Sequence, residues 1–165
     1  MGSDSDLGVM KDAAEVLEQF GIDSEVRVLS CHRAPEKVVE YVHDAPARGI
    51  KVFIGGAGMS AGLPGVIAAH TELPVIGVPL LSASSAAGGL DSILSVMQLP
   101  PGIPVAAVAL NGAKNAGILA AQIIATSDEE VKSKLTAYKK KMETDILAKN
   151  EKLEKEGYKK YLENK

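Results

Sequence analysis

Lys51-Val52-Phe53-Ile54-Gly55-Gly56-Ala57-Gly58-Met59-Ser60-Ala61-Gly62-Leu63-Pro64-Gly65, with Pro74-Val75-Ile76-Gly77-Val78-Pro79 shortly after it, is the stretch that decides the fold. Lys51–Gly55 is a short apolar run and reads as a buried strand. Ser60–His70 is rich in small residues and reads as a helix. Pro74–Val78 is a second apolar strand. The same alternation extends both ways. Met10, Ala13, Ala14, Leu17 and Phe20 mark an amphipathic helix ended by Gly21. Glu25–Ser30 alternates charged and apolar residues and reads as a strand. A helix is expected from Pro35 to Ala47, with Val38, Val39 and Val42 inward and Arg48-Gly49 closing it. Further on come a helix at Leu90–Met97, a strand at Pro104–Ala109 and a helix at Ala113–Thr126, apolar on nearly every face. Strands alternating with helices of this length imply an α/β fold, a parallel sheet with helices on both sides.

Composition narrows the function. A chain of 165 residues is one domain by length. Residues 1–126 carry 7 Lys/Arg against 12 Asp/Glu, and residues 127–165 carry 11 against 9. The first part therefore offers no basic face for nucleic acid. One cysteine excludes an internal disulfide and suits a reducing, cytoplasmic setting. No apolar run reaches membrane-spanning length, so no membrane partner is expected. Three histidines without clustered spacing give no metal site.

Residues 127–165 are charged, glycine-poor and helix-forming, with a sparse stripe of Val131, Leu135, Tyr138 and Met142. Thirty-nine helical residues would reach about 60 Å, far beyond a domain radius of roughly 15 Å. Such an arm is expected to pack on neighbouring subunits, leaving 1–126 as the catalytic domain. The stretch Gly2-Ser3-Asp4-Ser5-Asp6 is a loop of the kind that follows a strand. In doubly wound sheets that strand is central. The expectation is an apolar first strand upstream of Met1, missing from this chain, without which 25–30 and 51–55 would face a gap.

Three loops at strand-to-helix junctions carry the chemistry. In Gly2–Asp6, hydroxyls and N–H groups suit a phosphate and Asp6 suits ribose hydroxyls, although on these residues alone an ordinary helix cap with an acidic first turn is the better reading. In Ser30-Cys31-His32-Arg33-Ala34-Pro35, an imidazole that can give or take a proton stands beside a guanidinium that can hold a phosphate or carboxylate. Pro35 suits a first helical turn, and a helix start there would lower the Cys31 pKa. In Gly55–Gly65, Gly56-x-Gly58-x-x-Ala61 matches the dinucleotide fingerprint. The next strand, however, ends without the acidic residue that the fingerprint wants. Ser82–Ser92 is a flexible polar segment, read as a lid, a subunit contact or a linker. His43 reads as solvated, and His70 as a helix C-cap.

Together these loops, with Gly89-Leu90-Asp91-Ser92 and Gly102-Ile103-Pro104-Val105 through Asn115-Ala116, resemble the N5-carboxyaminoimidazole ribonucleotide mutase family of purine biosynthesis. The resemblance implies a flavodoxin-like three-layer sandwich and a homo-octamer. It implies transfer of a carboxylate from the exocyclic nitrogen of an aminoimidazole ribonucleotide to ring carbon C4, with no cofactor. By the family's motifs His32 is the catalytic proton shuttle. Ser3, Ser5 and Arg33 hold the 5′-phosphate with Ser30 nearby, Asp6 binds ribose, and Ala57, Gly58 and Leu63 enclose the ring. The chain departs from the family at Gly62, where the mutase branch carries a histidine, at Cys31, where a smaller residue is usual, and in a longer Ser82–Gly89 loop. The family's direct carboxylases, which are lyases, also lack the loop histidine but carry an Arg-Ser-Asn motif absent here. A non-catalytic nucleotide-binding homologue and a carboxylase of the same fold acting on another nucleotide are the remaining alternatives.

Overall fold

The computed structural model describes residues 1–164. Its helices and strands alternate as α1 (Leu7–Gln19), α2 (Pro35–Asp44), β1 (Phe53–Gly58), α3 (Leu63–Ala69), β2 (Val75–Leu80), α4 (Leu90–Met97), β3 (Ala106–Ala107) and α5 (Ala113–Ile124). Two C-terminal helices follow, α6 (Glu129–Glu156) and α7 (Tyr158–Glu163). The sheet is parallel in the order β1-β2-β3. Phe53 pairs with Val75 and Gly58 with Leu80, while Ile76 pairs with Ala106.

The core lies on both faces of that sheet. On one side Ile76, Val78 and Leu80 pack against α1, α5 and the first turns of α6. On the other, Phe53, Ala57 and Val75 pack against α2, α3 and α4. Every residue of β2 is buried, as a central parallel strand requires. This is the three-layer α/β sandwich that the periodicity implies.

Several elements differ from the sequence reading. Residues 25–30 are extended but form no strand. Pairing needs a neighbour, and among the described residues they pair through backbone with Met1 alone: the Met1 amine donates to the Arg27 carbonyl at 3.0 Å, and the Leu29 N–H to the Met1 carbonyl at 2.8 Å. A groove of about 530 Å³ separates this segment from β1. β1 itself runs on through Gly58, because backbone pairing with β2 continues where glycines were read as loop. β3 shrinks to two residues. α3 starts at Leu63 rather than Ser60, after Met59 has taken a left-handed φ of 55°. α2 stops at Asp44, and a 3-10 turn, Pro46–Arg48, completes the segment before Gly49 at φ 85°. Val39 is only half-buried. Ser82–Ser92 is a tied turn. Asp91 accepts from the Ala86 N–H at 2.9 Å, and the buried Ser92 hydroxyl donates to the Gly89 carbonyl at 2.9 Å.

The C-terminal arm begins as part of the domain. Asp128 caps α6 by accepting from the Glu130 and Val131 N–H groups. Val131 and Leu135 are buried, and Tyr138 meets Phe20 edge-on at 5.4 Å. Beyond that the stripe is bare: Met142, Ile146 and Leu147 are each more than half exposed. A 28-residue helix is about 42 Å long, so its distal half runs free of the core.

α1 and α5 touch through Gly117. A Cβ there would stand 2.4 Å from Val16 Cγ1 and 2.7 Å from the Ala13 carbonyl oxygen. Alanine gains about 1 kcal/mol in helix propensity, but backbone cannot yield as a side chain can. Overpacking of about 1–3 kcal/mol should therefore dominate. Gly117→Ala is expected to lower Tm by several degrees in calorimetry; an unchanged or raised Tm would show that the helices part freely.

Candidate active site

The carboxyl ends of parallel strands and the loops that follow them form the usual ligand crevice of open α/β sheets. Here three loops meet in a cleft of about 390 Å³ at that end of β1. Gly2–Asp6 precedes α1 as a capped 3-10 turn, with Ser3 Oγ accepting from the Ser5 N–H at 3.3 Å and the two hydroxyls 2.9 Å apart. Ser30–Arg33 forms the turn into α2, in which Ser30 Oγ accepts from the Arg33 N–H at 3.3 Å. Pro35 stands at the first position of that helix. The Arg33 guanidinium donates to the Gly2 carbonyl, stitching the first loop to the second. The third loop, Ala57 to Leu63, supplies the opposite wall.

Every residue singled out from sequence lines this one cleft: Ser3, Ser5, Asp6, Ser30, His32, Arg33, Ala57, Gly58 and Leu63. Residues the sequence reading did not select also line it, among them Met59, Ser60 and Ser82. Ser82 follows β2 and opens the polar segment that the sequence marks as a lid, a subunit contact or a linker. His43 and His70 lie elsewhere. They meet edge to face at 5.6 Å, and His70 is the C-cap of α3.

The third loop comes close to the second at Gly62. A Cβ there would lie 3.5 Å from His32 Nε2 and 3.7 Å from Cys31 Sγ. The imidazole is thus exposed to the cleft yet backed by glycine. Such a contact leaves the ring free on its other side. Gly58 is also close-packed, since a Cβ would approach the Leu80 carbonyl oxygen to 3.1 Å. Burial pushes the Cys31 thiol up, and the local backbone hydrogen bond offsets it only in part. This corrects the expectation of a lowered thiol: desolvation outweighs the helix start, and the thiolate a nucleophile needs is disfavoured. Among the described residues no three His, Cys, Asp or Glu side chains gather as metal ligands, and no helix is long and apolar enough to cross a membrane.

The family model described as AIR carboxylase matches residues 1–145. The chain belongs to the AIR carboxylase family. It is 53% identical over 165 residues to the N5-carboxyaminoimidazole ribonucleotide mutase of Thermotoga maritima, covering 95% of that protein. It is 55% identical over 163 residues to the protein of the same name from Pyrococcus abyssi, covering 92% of it. A chloroplastic phosphoribosylaminoimidazole carboxylase of Vigna aconitifolia is 48% identical, but there the match spans 29% of a longer chain. The crystal structure of Treponema denticola PurE superposes with a TM-score of 0.83 at 31% identity, covering 93% of this chain and 94% of that one. The family's flavodoxin-like architecture is therefore this chain's own.

Cys31 gives the local prediction. Its alkylation rate, followed against pH, should have a midpoint above that of a free cysteine thiol, and Cys31→Ala should retain turnover within a few-fold. A midpoint below the free value, with loss of turnover in the variant, would restore it as a nucleophile.

Proposed function

We propose that this chain converts N5-carboxyaminoimidazole ribonucleotide to 4-carboxy-5-aminoimidazole ribonucleotide in purine biosynthesis. It acts as an isomerase that moves one carboxylate within its substrate. The observation that carries the reading is the convergence of His32, Arg33, Ser3, Ser5 and Asp6 on one cleft. This occurs in a chain more than half identical, nearly end to end, to relatives named for that mutase reaction.

The residues divide the work by chemistry. Arg33 offers a fork of donors to the 5′-phosphate, in exchange for the Gly2 carbonyl that it holds in the free chain. The Ser3, Ser5 and Ser30 hydroxyls complete that anion site, and Asp6 accepts from the ribose hydroxyls. The flat imidazole of the substrate lies against Ala57, Gly58 and Leu63, where the absent Cβ of Gly58 lets backbone come close.

His32 then works twice. As the bond between the exocyclic nitrogen and its carboxylate carbon breaks, the His32 proton goes to that nitrogen and carbon dioxide is released. Carbon dioxide, held in the closed cleft, adds at C4, and the neutral imidazole removes the C4 proton to restore aromaticity. Protons and atoms balance, and no electron acceptor is needed. One imidazole, able to give and to take a proton, serves both steps. Exclusion of water keeps the carbon dioxide from hydration.

We further propose the cytoplasm as its location and a homo-octamer as its assembly. Residues 1–126 form the catalytic domain, and the distal part of 127–165 lies on neighbouring subunits. Exposed Met142, Ile146 and Leu147 on α6, and exposed Leu90, Leu94 and Met97 on α4, support such contacts. Direct carboxylation of aminoimidazole ribonucleotide is the second reading. It is favoured by Gly62, which leaves no side chain over His32.

Two assays separate them. Formation of the C4-carboxylated product from the N-carboxylated substrate at low bicarbonate is expected. Product only from aminoimidazole ribonucleotide with abundant carbon dioxide would make it a direct carboxylase, and product from neither would leave a binding protein. His32→Asn should keep substrate affinity while kcat falls by about 10²–10⁴-fold. Arg33→Ala should raise KM by about 10–100-fold, the loss of a charge-assisted phosphate contact. Unchanged kcat in the first variant would remove the proton shuttle.

A further inference from the structure

His43 and His70 are far apart in sequence, yet the fold sets them side by side outside the active-site cleft. His43 stands in the last turn of α2, and His70 caps the carboxyl end of α3. The two segments pack on the same face of the sheet through buried Val38, Val42 and Ala45 on one and buried Leu63 and Ile67 on the other. The His70 N–H donates to the Ile67 carbonyl at 3.0 Å, which holds the cap. The backbones that carry the two rings are therefore fixed, while both residues are exposed.

The ring centres lie 5.6 Å apart, with the planes at 65°. Two imidazoles on one tetrahedral ion, with metal–nitrogen bonds of about 2.0–2.1 Å, have their centres roughly 5.2 Å apart. Turning a histidine ring about its Cβ–Cγ bond leaves the ring centre in place. Rotation therefore aims a nitrogen without changing that separation, and this torsion is a soft one. Among the described residues neither ring enters a hydrogen bond or an ion pair, so no protein group competes for the nitrogens. Helix carboxyl ends favour a cation, and two of them meet here. Asp44 follows His43 directly and Glu72 lies two residues past His70, so the nearby chain carries negative charge.

We propose that His43 and His70 form a binding site for one divalent transition-metal ion of the zinc class. Paired imidazoles suit zinc, copper or nickel, whereas calcium and magnesium want oxygen ligands. Two protein ligands leave the remaining positions to solvent, which makes the site open and exchangeable. The ion acts as a clasp between α2 and α3. These helices start at the cleft, after the His32–Arg33 turn and after Gly62, and the clasp ties their other ends. It takes no part in the carboxylate transfer and touches no residue of the cleft.

The probe is Zn²⁺ alone, added to the full chain. At a hundredfold excess over Kd it should raise Tm by about 5–10 °C. His43→Phe keeps a ring beside His70 and removes one ligand, and His70→Gln removes the other. Each variant should leave turnover in metal-free buffer unchanged and weaken Zn²⁺ binding at least about tenfold. In the unsubstituted chain, NMR of the histidine ring nitrogens should show Zn²⁺-dependent shifts at both His43 and His70. A rise in Tm that survives both substitutions, ring shifts at only one of the pair or at neither, or no rise at all would overturn the proposal.

Discussion

The parallel pairing of Phe53–Gly58 with Val75–Leu80 is the constraint on which the rest depends. It forces the two strand ends to one side, and with them the loop after each. It also fixes which side chains alternate up and down. Ile76 and Val78 point to α1 and α5, while Phe53, Ala57 and Val75 point to α2, α3 and α4. A slip of one residue would exchange these two sets and bring Gly77, which has room for no side chain beside Val96 and Val105, to the wrong face.

Glycine and small residues serve the site in a related way. β1 ends on Gly58 against the Leu80 carbonyl, and the loop turns back through the left-handed Met59 to bring Gly62 against His32. A non-glycine residue at that φ holds some strain, which the neighbouring packing sustains. That wall of the cleft is therefore mostly backbone, and most of the polar side chains come from the two loops opposite. Asn111, also left-handed, accepts from the Leu81 N–H at 2.9 Å and pins the strand end beside the cleft. The cleft thus sets a wall of backbone against a row of hydroxyls and donors.

Much of this was legible in the sequence because it rests on local signals. Helix α4 was read to the residue, since Leu90–Met97 is a clean apolar period between glycines and a proline pair. The nine positions named through the family's motifs fall together in one cleft, because each stands at a strand-to-helix junction on the same side of the sheet. The strand at 25–30 was misread because alternation reports a half-buried face, not a partner, and its neighbour is one residue long. β1 was cut short because glycine was taken for loop, although a backbone ladder needs no Cβ. The Cys31 thiol was misjudged because sequence shows the helix start but not the burial around the sulfur.

The contact of α1 with α5 through Gly117 spans nearly the whole domain in sequence, from Ala13 to Gly117. At a synthesis rate of roughly 5–20 residues per second, the first helix emerges several seconds before the helix that covers its apolar face. Until then Met10, Val16, Leu17 and Phe20 have only the strands, and not α5, to pack against. The fold is thus a late-closing one on the ribosome. The face of α1 that meets Gly117 is covered only when the domain is nearly complete.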